Sequence, residues 1–123
     1  MHKAVVFFAL FLAACVTPSV PSAFAGLERL QALGTEPFWS VHADGATLRY
    51  TTPEDMEGTP FAAERREADG ALVFTGILNG EAFSLRVTLG ACSDGMSDTV
   101  YSYRAEVAHG SRELTGCARK PLN

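Results

Sequence analysis

Three cysteines are the residues of this chain best able to do chemistry. Cys92 and Cys117 lie about 25 positions apart, and neither has the Cys-x-x-Cys or Cys-x-x-His partner typical of a zinc site. In an oxidising compartment two such cysteines usually pair, and a loop of this length gives roughly 3.5 kcal/mol of stabilisation in the chain-entropy model. We therefore predict a Cys92–Cys117 disulfide, with a reactive thiol pair or a metal site as the alternatives.

The third cysteine, Cys15, ends a segment that has the pattern of an export signal. A basic start containing Lys3 runs into an apolar stretch over residues 4–14, and a Thr/Pro/Ser-rich spacer follows. The apolar stretch is too short to span a bilayer as a finished helix, and the order of basic, apolar and small residues is typical of a secretory signal. We expect residues 1–25 to be signal and tether, and residues 26–123 to form a single domain outside the cytoplasm.

Two cleavage sites compete within this signal. Leu12-Ala13-Ala14-Cys15 has the shape of a lipobox, where cleavage leaves a lipidated Cys15, whereas Ala23-Phe24-Ala25 before Gly26 suits ordinary signal peptidase. We favour lipidation, because Cys15 ends the apolar run where a lipobox should. The expected location is the periplasmic side of the cell envelope, with a membrane anchor at Cys15; secretion to the periplasm is the alternative.

Two acidic residues in the segment Cys92–Asp98 could hold a hard cation. Asp94 and Asp98 supply carboxylates at short spacing, but the segment lacks the regular ligand series and distal Glu of a calcium loop. We interpret Asp94 as a turn former before Gly95 and predict no metal site.

Catalytic motifs are absent from the sequence. It has no Gly-x-Ser-x-Gly elbow, no Gly-rich phosphate loop, no His-Glu-x-x-His and no dinucleotide fingerprint. The net charge is −4 without a Lys/Arg run, which argues against nucleic acid as a partner. We predict that the protein is not an enzyme and takes no cofactor or small-molecule substrate.

The elements that position these residues are predicted to be mainly strands. A short helical turn over Leu27–Leu33 is predicted from its leucines at spacing three. Seven strands are then predicted, separated by hairpin signals at Asp44-Gly45, Asp69-Gly70 and Asn79-Gly80: Phe38–Ala43, Thr47–Thr51, Phe61–Glu67, Leu72–Leu78, Phe83–Leu89, Val100–Ala108 and Arg112–Ala118. The fold class is all-β, a small antiparallel meander closed into a barrel or half-barrel.

Two segments interrupt the hairpin rhythm and are candidates for a binding surface. They are Gly34–Ser40 and Cys92–Asp98, and we expect the barrel to bring them together. Trp39 is interpreted mainly as core, with ligand stacking as the alternative. Glu36 is interpreted as an acceptor of backbone N–H bonds in its loop or as an ion-pair partner of Arg104 or Arg119. The candidate surface residues are Glu36, Phe38, Trp39, Asp94, Met96, Asp98 and Arg104.

At these residues the chain resembles a group of uncharacterised bacterial envelope proteins, often lipoproteins. The matching pieces are Gly34–Trp39, Cys92–Asp98, Tyr101–Tyr103 and Gly116-Cys117, although Ser102 stands where that group usually has proline. In architecture and size the chain is also similar to META domains and to membrane-bound inhibitors of C-type lysozyme. The resemblance implies a small exported β-barrel.

Two functions are consistent with these observations. The first is a lipid-anchored, non-catalytic envelope module with a structural or accessory role and an envelope protein as possible partner. The alternative is a binding protein that inhibits a cationic enzyme such as C-type lysozyme, for which the acidic net charge is suited.

Overall fold

The chain forms one antiparallel meander that closes on itself. In this computed structural model, residue 4 and residues 22–122 are described, so Cys15 lies outside the described residues. Each strand pairs with the next, and the first pairs with the last, which makes a closed barrel and confirms the all-β class. The strands are β1 (Arg29–Thr35), β2 (Phe38–Asp44), β3 (Thr47–Thr51), β4 (Pro60–Ala68), β5 (Ala71–Leu78), β6 (Glu81–Ser93), β7 (Val100–His109) and β8 (Arg112–Arg119).

The first strand replaces the predicted helical turn, so the barrel has eight strands instead of seven. Within β1, Leu30 and Ala32 are buried while Leu33 is on the other face, which is the period of two of a strand. The helical prediction was wrong because β2 and β8 both need a hydrogen-bonding neighbour, and β1 supplies it. No helix among the described residues is long and apolar enough to cross a membrane.

The predicted hairpin turns form. Asp69-Gly70 and Asn79-Gly80 both have positive φ at both residues, which is the requirement of a type I′ turn. That turn twists in the same sense as its strands, so the flanking strands pair without a gap, from Ala68↔Ala71 and from Leu78↔Glu81 onwards.

Alternating side chains fill the barrel interior. On β6 and β7 the inward residues include Phe83, Leu85 and Val107, each almost fully buried. On β5 one face enters the core, since Phe74 is fully buried whereas Ile77 is 64% exposed. The largest fully buried side chains are Phe74, Phe83, Leu27, Leu30, Leu48, Leu72, Leu85, Val41 and Val87.

One end of the barrel is covered by the segment Ser22–Glu28, which we call the plug. Phe24 and Leu27 of the plug are buried in the core cluster. Arg65 of β4 donates to the carbonyl of Leu27 and, at 3.1 Å, to that of Gly45, while its guanidinium lies 5.1 Å from the ring centre of Phe74. Residues 22–25, assigned to the tether from sequence, therefore pack against the domain.

The interior packing predicts a sharp difference between two residues of β5. Replacement Phe74→Ala removes a fully buried ring, and we expect it to lower the free energy of unfolding by about 3–5 kcal/mol. Ile77→Ala in the same strand truncates a mostly exposed side chain and should change the free energy of unfolding by less than about 0.5 kcal/mol. Urea unfolding measures both; equal effects would contradict the assigned interior face.

Candidate functional site

The two candidate segments meet. Gly34–Ser40 contains the β1–β2 turn, and Cys92–Asp98 contains the end of β6 and the start of the β6–β7 loop. The hydroxyl of Thr35 donates to the backbone carbonyl of Asp94 at 3.0 Å, although the two residues are 59 positions apart. The expectation that the barrel brings these segments together is confirmed.

A disulfide holds the second segment against the barrel. Cys92 and Cys117 are bonded, with 5.6 Å between their Cα atoms, as predicted. β6 shifts register against β7 between Leu89 and Cys92, and this bulge lets the end of β6 reach β8 across the intervening strand. Cys117 is almost fully buried because this extension covers it on the outside of the barrel.

Asp94 organises the β6–β7 loop. Its carboxylate accepts hydrogen bonds from the backbone N–H groups of Met96 and Ser97, at 2.9 and 2.8 Å, and from the Ser97 hydroxyl at 2.8 Å. These hydrogen bonds hold the pKa of Asp94 well below its ordinary value of 3.8. The Met96 N–H has the largest effect, followed by the N–H and the hydroxyl of Ser97. Asp94 therefore acts as the predicted turn former and stays ionised.

Tyr101 connects this loop to the barrel. It is nearly buried, and its hydroxyl donates to the Asp94 carboxylate at 2.9 Å. Burial, followed by the hydrogen bond and charge of Asp94, raises the pKa of Tyr101, so the phenol remains a donor at neutral pH. The guanidinium of Arg119 lies 5.2 Å from the Tyr101 ring centre and bonds to Gln31 of β1.

Trp39 packs into space left by two glycines. A Cβ on Gly34 would lie 2.0 Å from the indole Nε1, and one on Gly116 would lie 2.9 Å from the indole ring and 2.0 Å from the carbonyl oxygen of Leu33. Trp39 itself is 4% exposed. The structure thus places it in the core, and glycine is required at both neighbouring positions.

A groove of about 580 Å³ lies between the two segments, and we call it the motif groove. Its lining includes four of the seven candidate residues: Glu36, Asp94, Met96 and Arg104. Met96 is 69% exposed, so its thioether is available to a partner.

A second groove, which we call the apolar groove, lies on the other side of the β1–β2 turn and has a volume of about 390 Å³. Phe38, Trp39, Pro53 and Met56 are among its lining residues, and Phe38 is 53% exposed. Both grooves include Leu33–Thr35, so the turn forms a ridge between an ionic and an apolar surface.

Two sequence expectations about charged residues differ from the structure. Within residues 22–122, Glu36 forms no ion pair with Arg104 or Arg119. Arg119 is occupied by Gln31 and Tyr101, and the Arg104 Nε donates to the carbonyl of Ala91 at 3.5 Å. Asp98 is exposed and lines neither groove.

Sequence reasoning missed several lining residues. Glu106 and Thr115 face outward from β7 and β8 into the motif groove. Glu106 lies two positions after Arg104 and so on the same face, which is a signal that alternation could have supplied. Met56 carried a weaker signal, as a lone large apolar residue in an otherwise polar loop.

Among the described residues, no cluster of three or more His, Cys, Asp or Glu side chains is arranged to hold a metal ion. The titratable groups of the motif groove are exposed or held by loop hydrogen bonds. The arrangement offers recognition chemistry: carboxylates, one guanidinium, a thioether and an adjoining apolar surface.

Comparison with known proteins adds no relatives. No family model, no curated protein and no solved structure matches the chain.

The low pKa of Asp94 predicts a pH-dependent stability. Because its folded pKa is below the unfolded value of 3.8, its contribution is fully present well above pH 3.8 and is lost as the pH falls through the folded pKa. Replacement Asp94→Asn should therefore lower the melting temperature most above about pH 5, and the gap to wild type should narrow towards pH 2.

The control for this prediction is Asp98→Asn in the same loop. This substitution makes the same chemical change at an exposed residue, away from the hydrogen-bond network of Asp94. Melting temperatures followed by circular dichroism from pH 7 to pH 2 measure all three proteins. A gap between wild type and Asp94→Asn that is independent of pH would contradict the role of the ionised carboxylate.

Proposed function

We propose that this protein is an exported, lipid-anchored, non-catalytic module of the cell envelope with an accessory role, and that the two grooves around the β1–β2 turn contact an envelope protein. The anchor in this proposal is Cys15. The proposal assigns binding, not catalysis, to the residues of the two segments.

The observation that carries the proposal is the way the two segments are held together. A disulfide, the Thr35–Asp94 hydrogen bond and the carboxylate network of Asp94 fix loops from opposite parts of the sequence into one surface. Preorganised surfaces lose less entropy on binding than mobile ones. A rigid surface on which the side chains of Met96 and Phe38 are exposed is suited to contact with another protein.

The filled interior supports a surface function as well. The core side chains occupy the barrel and the plug covers one end, so the exposed grooves are the better candidates for recognition. The disulfide is compatible with an oxidising compartment outside the cytoplasm.

A photo-crosslinking experiment in native membranes tests the proposal. With a photoreactive residue at Met96, we expect a discrete crosslinked product containing one envelope protein. Replacement Glu36→Arg reverses a charge in the motif groove and should reduce this product about tenfold, the effect of a 1.4 kcal/mol loss of binding energy.

Glu64→Arg is the matched control, since Glu64 is exposed on β4 and lines neither groove. It should leave the yield unchanged. A diffuse background without a discrete product, or an equal loss with Glu64→Arg, would refute contact through this surface.

The charge of the motif groove favours a second candidate function, inhibition of a cationic enzyme. Glu36, Asp94 and Glu106 contribute three carboxylates to its lining against the guanidinium of Arg104, and Glu106 is also ion-paired at 3.9 Å with Arg86, which lies outside the lining. An acidic groove attracts a basic protein and increases its rate of association.

The purified protein should then slow a C-type lysozyme at micromolar excess and low salt, and should lose this effect as ionic strength rises. Glu36→Arg should weaken the inhibition, with Glu64→Arg again as control. Full lysozyme activity at low salt would eliminate this candidate while leaving the envelope-partner proposal intact.

A further inference from the structure

We infer that the plug, Ser22–Glu28, is a permanent part of the mature protein, so that cleavage occurs upstream of Ser22 and the plugged end of the barrel faces the membrane. This inference rests on the proposed export of the chain. The sequence pattern alone leaves two cleavage sites in competition, and the packing of the plug favours the upstream one.

Phe24 of the plug is buried against the barrel. Its side chain is 5% exposed, and its ring centre lies 6.0 Å from that of Tyr103 on β7. Leu27, three residues later, is 1% exposed. Cleavage after Ala25 would remove Phe24 and leave the core surface beneath it, including one face of Tyr103, open to water.

The plug also has hydrogen-bond partners on the barrel along its length. The Gly45 N–H donates to the Glu28 carbonyl at 2.7 Å, and the Ser22 hydroxyl donates to Glu67 on β4. The Tyr103 hydroxyl donates to the carbonyl of Ala23 at 3.4 Å. Two of these contacts involve residues upstream of Gly26, as expected of a segment that belongs to the domain.

Retention of the plug fixes the orientation of the barrel. If Cys15 carries the lipid, residues 16–21 connect it to Ser22, and the two residues are at most about 25 Å apart when this segment is fully extended. Leu89, which is 65% exposed and pairs with Tyr103, lies at this same end. The plugged end, with Leu89, is then held close to the bilayer.

The decisive experiment is the intact mass of the protein purified from its native membranes without reductant. A lipidated chain beginning at Cys15 supports both the plug and the proposed anchor. A chain beginning between residues 16 and 22 supports the plug and refutes the anchor. A chain beginning at Gly26 overturns the inference and leaves export standing, whereas an uncut chain beginning at Met1 refutes the proposed export.

A stability measurement on the full-length, unprocessed chain tests the packing of the plug independently of where cleavage occurs. We expect Phe24→Ala to lower the melting temperature by about 10 °C or more, and Phe24→Leu to retain most of the stability. Phe38→Ala is the matched control, because it removes the same kind of side chain from a half-exposed site. It should shift the melting temperature by less than about 3 °C. Equal shifts for Phe24→Ala and Phe38→Ala would overturn the inference.

Discussion

The closure of β1 on β8 is the constraint on which the rest of the structure depends. Only three residue pairs join these strands, Gln31–Leu33 with Cys117–Arg119, whereas β5 and β6 share eight. A junction this short gains little from its own hydrogen bonds. Trp39, packed against a glycine on each of the two strands, and the disulfide beside the junction supply the additional cohesion.

This constraint divides the residues of the two interrupting segments into two groups. Three of these residues stabilise the junction. Gly34 leaves space for the indole of Trp39, Trp39 fills that space, and Asp94 fixes the loop that covers the junction. The side chains of Glu36 and Met96 lie on the surface instead. The candidate binding surface is therefore a by-product of how the barrel is sealed, and its rigidity follows from the same contacts.

Alternation and turn chemistry predicted most of the fold from sequence, because each depends on neighbouring residues only. The type I′ turns and the inward face of β7 are of this kind. The first strand was missed because its identity depends on β8, more than eighty positions away. The same reason hid the hydrogen bond of Thr35 to Asp94 and the burial of Phe24, because each depends on a residue far away in the sequence. Glu106 is different, since its position two residues after Arg104 is a local signal that alternation contains.

The pairing of the first strand with the last also governs the order in which the chain can fold as it is made. Until β8 emerges, β1 and β7 both present unpaired backbone edges, which are templates for pairing with other chains. Phe24 is made early, yet its partner Tyr103 appears some eighty residues later. A sheet that lacks β8 leaves both edges unpaired, and the pairing of this final strand removes both of them at once.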